Sequence, residues 1–197
     1  VVIPDYRLYP EVHYPEFLHD SAKAVAWVHE HISEYGADPE KIFLSGHSAG
    51  AYNAVMLVLN KSYLQAENYE PDDIKGVIGM AGPYDFLPLT DPDLIEVFNS
   101  ENDPATQPIT YARSNAPPFL LLHGDADQDV LLRNSRNLEK RLQSLGSPVQ
   151  LNVYPGVKHY RIILAMSKLF RKTAPVLDDS VKFISKYEDE QKKAPQK

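Results

Sequence analysis

No cysteine occurs in the 197 residues of this chain. That removes disulfides, thiolate metal sites and cysteine nucleophiles together, so covalent catalysis must use another side chain. It leaves the compartment open, with the cytoplasm slightly favoured, because cytosolic and exported proteins alike can lack cysteine. Long apolar runs are missing too, and none approaches the roughly 18 residues of a membrane-spanning helix. Positive charge is in short supply. Lys and Arg number 20 against 27 Asp and Glu, a net charge of −7, whereas a nucleic-acid partner calls for a basic stripe. Glycine is sparse, with 9 residues and no two adjacent.

What remains is 43% hydrophobic and 24% charged, an ordinary globular composition in a chain long enough for one well-packed domain and short for two. Short apolar runs alternate with helical stretches, the pattern of a parallel sheet with helices on both faces. Strands are predicted at Val1–Ile3, Ile42–Leu44, Val77–Met80, Phe119–Leu122 and around Val149, Leu151 and Val153. Helices are predicted from Pro15 to about Tyr35 with Gly36 as the stop, over Ala49–Leu59, over Leu131–Leu145 with Gly146 as the stop, and over Pro175–Tyr187. Between about 83 and 117 the pattern dissolves into Pro-rich acidic sequence, read as a cap-like insertion. The domain thus spans 1–187, and 188–197 reads as a disordered tail. Because the chain opens on an apolar strand-like run without a Met, strands preceding it are expected to lie outside this sequence. An exposed edge there would favour pairing with another chain, as in a homo-oligomer.

Gly46-His47-Ser48-Ala49-Gly50 forms a G-x-S-x-G motif between a predicted strand and an apolar helix. The motif alone arises by chance in roughly one chain in twenty of this length. Its position supplies the meaning, since a serine on a strained strand-to-helix turn is exposed for attack and has a helix N-terminus behind it. Serine is a weak nucleophile and needs a base, which needs an orienting acid. His123-Gly124-Asp125-Ala126-Asp127-Gln128-Asp129-Val130 leaves one strand end with three carboxylates. Tyr154-Pro155-Gly156-Val157-Lys158-His159 leaves the next with a histidine.

Those blocks, together with Asp5-Tyr6-Arg7-Leu8-Tyr9-Pro10-Glu11, resemble the successive motifs of the esterase/lipase group of α/β-hydrolases, which includes hormone-sensitive-lipase-like and feruloyl-esterase-like carboxylesterases. The resemblance implies an α/β-hydrolase fold and a carboxylesterase that works through an acyl-enzyme. It implies Ser48 as nucleophile, His159 as base and Asp127 as acid, with Asp125 and Asp129 as alternatives for the last. The Ala49 N–H would be one oxyanion donor. The family's second donor comes from an HGGG-type loop, and this sequence has no such motif. The block Ala81-Gly82-Pro83-Tyr84-Asp85-Phe86 also resembles arylformamidases of this fold, so an amide hydrolase is an alternative. A non-catalytic binding member is another, although the complete Ser, Asp and His set speaks against it.

Other residues carry weaker signals. His47 and His123 flank the motifs and read as structural, although His47, with Tyr84 and Phe86, could also line a substrate pocket. Asp5 and Arg7 read as a buried ion pair that fixes their loop. His29 and His31 are two apart on a helix and point to different faces, which is wrong for a shared metal. Trp27 reads as helix packing. No metal and no cofactor is expected, and the expected partner is a small, neutral ester.

Overall fold

The computed structural model describes residues 1–190. Its sheet has four strands: β1 (Phe43–His47), β2 (Gly76–Met80), β3 (Phe119–Gly124) and β4 (Val149–Tyr154). They lie in the order β1-β2-β3-β4, and every pairing is parallel. The two inner strands are buried at every position. That explains their nearly continuous apolar sequences, because a strand covered on both faces has no solvent side to alternate with. Along the strands the side chains still sort by parity. Val77, Phe119 and Leu121 face one core with α1 (Glu16–His31), α2 (Ala49–Leu59), α3 (Ser62–Ala66) and α5 (Arg133–Ser144). Ile78, Met80, Leu120 and Leu122 face the other with α6 (His159–Leu164) and α7 (Val176–Glu190).

Helix α2 is buried at every residue from Ala51 to Leu59, as its lack of a polar face requires. Gly36 and Gly146 stop their helical segments in the left-handed conformation, at φ 78° and 76°, where other residues meet a Cβ clash. A one-turn 3₁₀ segment, Ile32–Tyr35, lies between α1 and Gly36.

Three expectations are corrected. Val1–Ile3 forms no strand, and its side chains are exposed. Apolar composition alone does not make a strand; the backbone needs a partner, and none pairs with it among the described residues. Arg7 pairs with Asp20 of α1 rather than with Asp5, through Nε at 2.8 Å and Nη2 at 2.7 Å, and the pair is exposed. The partner one helix turn into α1 ties the loop to the helix, which Asp5 could not do. Finally, α7 runs on to Glu190, so the predicted tail begins as helix; residues 191–197 lie outside the described residues.

The stretch between β2 and β3 contains α4 (Pro92–Phe98) and two 3₁₀ turns, Pro104–Thr106 and Pro108–Tyr111. Asp91 caps α4 by accepting from the Asp93 N–H at 2.9 Å, and Pro92 occupies the first turn, a start signal present in the sequence. Tyrosines dock the segment. Tyr52 donates to the Thr106 carbonyl at 2.7 Å and Tyr14 to that of Ala105 at 2.8 Å. No helix among the described residues is long and apolar enough to cross a membrane.

Candidate active site

Ser48 follows β1 directly and precedes α2, with φ 54° and ψ −119°. A non-glycine residue pays on the order of 1–3 kcal/mol for such a backbone, and the surroundings must hold it there. They do so on both sides. The Ser48 N–H donates to the Met80 carbonyl at 2.9 Å, and its own carbonyl accepts from Tyr52 at 3.0 Å. The motif's glycines divide the labour unequally. A Cβ on Gly46 would stand 2.2 Å from the Gly50 carbonyl carbon, whereas one on Gly50 would meet nothing within 4 Å. Gly46 is therefore the position that lets helix and strand close on each other. Ala49 opens α2, where an N–H has no intrahelical acceptor.

The other two loops must bridge the sheet. Ser48 and His159 leave strands three places apart, about 14 Å at the usual strand spacing. The 155–158 loop folds back across the end of β3. It is held there by Asp125 N–H to the Tyr154 carbonyl at 3.1 Å, Ala126 N–H to the Val157 carbonyl at 3.2 Å, and Gly156 N–H to Asp125 Oδ1 at 2.6 Å. Gly124 makes that crossing possible, since a Cβ there would lie 2.0 Å from the Val157 carbonyl oxygen. His47 clamps the far end, its Nε2–H donating to the His159 carbonyl at 3.0 Å.

These constraints bring Ser48, His159 and Asp127 into a chain. His159 Nδ1 lies 2.8 Å from Asp127 Oδ2, and Nε2 lies 2.9 Å from Ser48 Oγ. A carboxylate only accepts, so Nδ1 carries the proton and Nε2 is left bare to receive the serine O–H. Asp127 is buried, while Ser48 stays half-exposed. The second Asp127 oxygen accepts the N–H groups of Asp129 and Val130, both at 3.0 Å. Asp125 is instead occupied with Gly156, and Asp129 is exposed. Of the three neighbouring carboxylates, Asp127 is the one that holds His159.

Sequence reasoning gave His123 no part in this chain of contacts. It is fully buried, with Nε2 2.8 Å from the Val130 carbonyl and 3.4 Å from Asp127 Oδ2, and Nδ1 2.7 Å from Ser135 Oγ. The carbonyl fixes the Nε2–H tautomer, and the hydroxyl of Ser135 donates to Nδ1. Burial pushes the pKa of His123, and that of half-buried His47, below the ordinary 6.5. A neutral His123 thus faces the carboxylate as a dipole and leaves its charge intact.

Two residues considered for a pocket make packing contacts. Tyr84 is fully buried, its ring against Gly79 of β2 and Gly82 just beyond it; two residues without side chains leave room for a core aromatic. Its N–H and that of Asp85 donate to Asn134 Oδ1, at 2.9 and 2.8 Å. Phe86 packs on Tyr52 and Phe98. Trp27 is 45% exposed and stacks on His31. Among the described residues, Asp127, Asp129 and His159 are the group whose ligand atoms converge within 4.8 Å. A cation there would compete with the Asp127–His159 hydrogen bond.

The model of the BD-FAE family matches residues 1–142. A probable carboxylic ester hydrolase, LipM, of Mycobacterium tuberculosis is 30% identical over 79% of this chain and 43% of its own length. A probable isoprenylcysteine alpha-carbonyl methylesterase of Arabidopsis thaliana is 24% identical over 98% of this chain and 47% of its own length. The chain spans about half the length of the curated relatives it matches. Among solved structures, a truncated carbohydrate esterase from gut microbiota superposes with a TM-score of 0.77 at 19% identity, covering 93% of this chain and 72% of that one. Apo esterase 2 of Thermogutta terrifontis gives 0.74 at 22% identity, covering 98% and 72%. The fold is that of the α/β-hydrolases.

Proposed function

Because the chain belongs to the BD-FAE family, we propose that it is a carboxylic-ester hydrolase acting on small or medium neutral esters through an acyl-enzyme on Ser48. The observation that carries this is the continuous hydrogen-bond relay from Asp127 through His159 to Ser48. In that arrangement His159 Nε2 takes the hydroxyl proton as Oγ attacks the ester carbonyl carbon. Asp127 keeps the imidazole in the productive tautomer and stabilises the imidazolium. The Ala49 N–H, at the head of α2, would donate to the oxyanion as charge develops. His159 then gives its proton to the leaving alkoxide. Water, deprotonated in turn by His159, attacks the acyl-enzyme and releases the acid and free serine.

The test is labelling with a fluorophosphonate probe alongside turnover of p-nitrophenyl acetate. The expected result is stoichiometric labelling and ester hydrolysis, both abolished in Ser48→Ala, with at least about a 10⁴-fold fall in kcat. Equal labelling of that variant would sink the assignment. Faster turnover of an N-formyl aryl amine than of any short acyl ester would replace the esterase reading with an amidase one.

A further inference from the structure

The charge of the chain is unevenly spread. The fifteen residues from Lys158 to Lys172 carry Lys158, Arg161, Lys168, Arg171 and Lys172 and no Asp or Glu, in a chain whose net charge is −7. All five cations are exposed. None pairs with a carboxylate among the described residues, and Arg161 lies 5.9 Å over the Phe170 ring. Interleaved with them are apolar side chains that solvent reaches: Tyr160 at 69%, Leu164 at 40% and Leu169 at 80%. The inner side of the first half of this segment, Ile162 and Ala165, is fully buried in the core it shares with β3 and α7. The outer side of that half, with Tyr160, Arg161 and Leu164, is therefore held in place by the core rather than left loose. Helix α6 begins at His159, whose Nε2 lies 2.9 Å from Ser48 Oγ, so this end of the segment stands beside Ser48.

We propose that this face docks on an anionic lipid surface and brings the mouth of the Ser48 site to the bilayer interface. Cations alone would suit any polyanion. Exposed leucines and a tyrosine among them gain nothing from a phosphate backbone, but they can enter the boundary between headgroups and acyl chains. The cations meanwhile pair with lipid charge. The remainder of the chain is strongly acidic, which would orient this face toward such a surface and the rest away from it. Asp125 and Asp129 are exposed acids near the base of the segment, with Asp125 engaged by the Gly156 N–H, and Asp178 is exposed at the start of α7 six residues beyond Lys172.

The test is co-sedimentation of the 197-residue chain with vesicles of phosphatidylcholine alone or with about a third phosphatidylserine. Binding is expected to the mixed vesicles only, and to be lost in high salt. Each cation near the surface contributes about fivefold to partitioning, so K168E/R171E/K172E should weaken binding by at least about a hundredfold. L164S/L169S should also weaken it, while leaving hydrolysis of a soluble short ester unchanged. Ser48→Ala should bind like the parent, so the docking result stands or falls apart from the esterase assignment. Circular dichroism checks that each variant is folded. Absence of binding to the anionic vesicles, equal binding by folded charge-reversal protein, or leucine-independent binding matched by heparin would overturn the proposal.

Discussion

Replacing Gly124 by alanine tests whether the close crossing of the two loops holds the relay together. A Cβ at this position would stand 2.0 Å from the Val157 carbonyl oxygen, 2.6 Å from its carbonyl carbon and 2.9 Å from its Cβ. All three atoms belong to backbone or to a branched stem, so no side-chain rotation relieves the overlap. Cβ contacts under 3.0 Å are not tolerated, so Val157 must retreat by at least about 1 Å. His159 is two residues further on and hydrogen-bonds on both sides at 2.8 and 2.9 Å. A displacement near 1 Å in such a site costs on the order of 10²-fold in rate, and overpacking costs about 1–3 kcal/mol of stability. The assay is steady-state hydrolysis of p-nitrophenyl acetate and the rate of fluorophosphonate labelling, with urea unfolding on the same preparation. Expected are a kcat lower by about a hundredfold, slower labelling, and a lower urea midpoint. Parental turnover would refute the reasoning. So would a lower midpoint with kcat intact, since the loop would then have yielded without moving His159.

Gly46→Ala should be at least as damaging, because its Cβ would meet the Gly50 backbone at 2.2 Å, whereas Gly50→Ala should fold and gain about 0.4–1 kcal/mol in urea melts. Asp127→Asn should keep the fold and lower kcat by about 10⁴-fold, because the amide no longer enforces the Nδ1–H tautomer. Asn134→Ala leaves the N–H groups of Tyr84 and Asp85 without their acceptor and should cost about 1–3 kcal/mol in unfolding free energy. Stability should also depend on acid. His47 and His123 have pKa values held below 6.5 by burial, so the unfolded chain binds their protons first. Stabilisation is full above about pH 6.5 and is lost as pH falls through the lower folded values; a flat profile of urea midpoints between pH 7.5 and 5.5 would refute this.

Much of this architecture was legible because it is local. A short apolar run such as Phe119-Leu120-Leu121-Leu122, bounded by Pro118 and Gly124, fits a strand covered on both faces, and Gly46-His47-Ser48-Ala49-Gly50 between such a run and an apolar helix marks a strained turn. Gly36 and Gly146 announced their helix ends for the same reason, a backbone conformation that other residues resist. Short elements were harder. Nothing in the periodicity announced α3 or α6, which have 5 and 6 residues, too few to complete a repeat. Helix α4 lies inside the Pro-rich acidic stretch, where no helix was predicted, and its Asp91 cap shows in the structure.

The sequence by itself determined the residue types of the relay and the chain order Ser, Asp, His. The family resemblance pointed to Asp127, but residue chemistry alone left Asp125 and Asp129 as alternatives, because all three sit on one turn. That choice belongs to tertiary structure: the 155–158 loop crosses Gly124, binds Asp125 through Gly156, and leaves Asp127 alone facing Nδ1. The same is true of Tyr84 and Val1–Ile3. Composition marked each as apolar, but whether an apolar residue is buried, or a strand paired, depends on what the rest of the chain sets beside it.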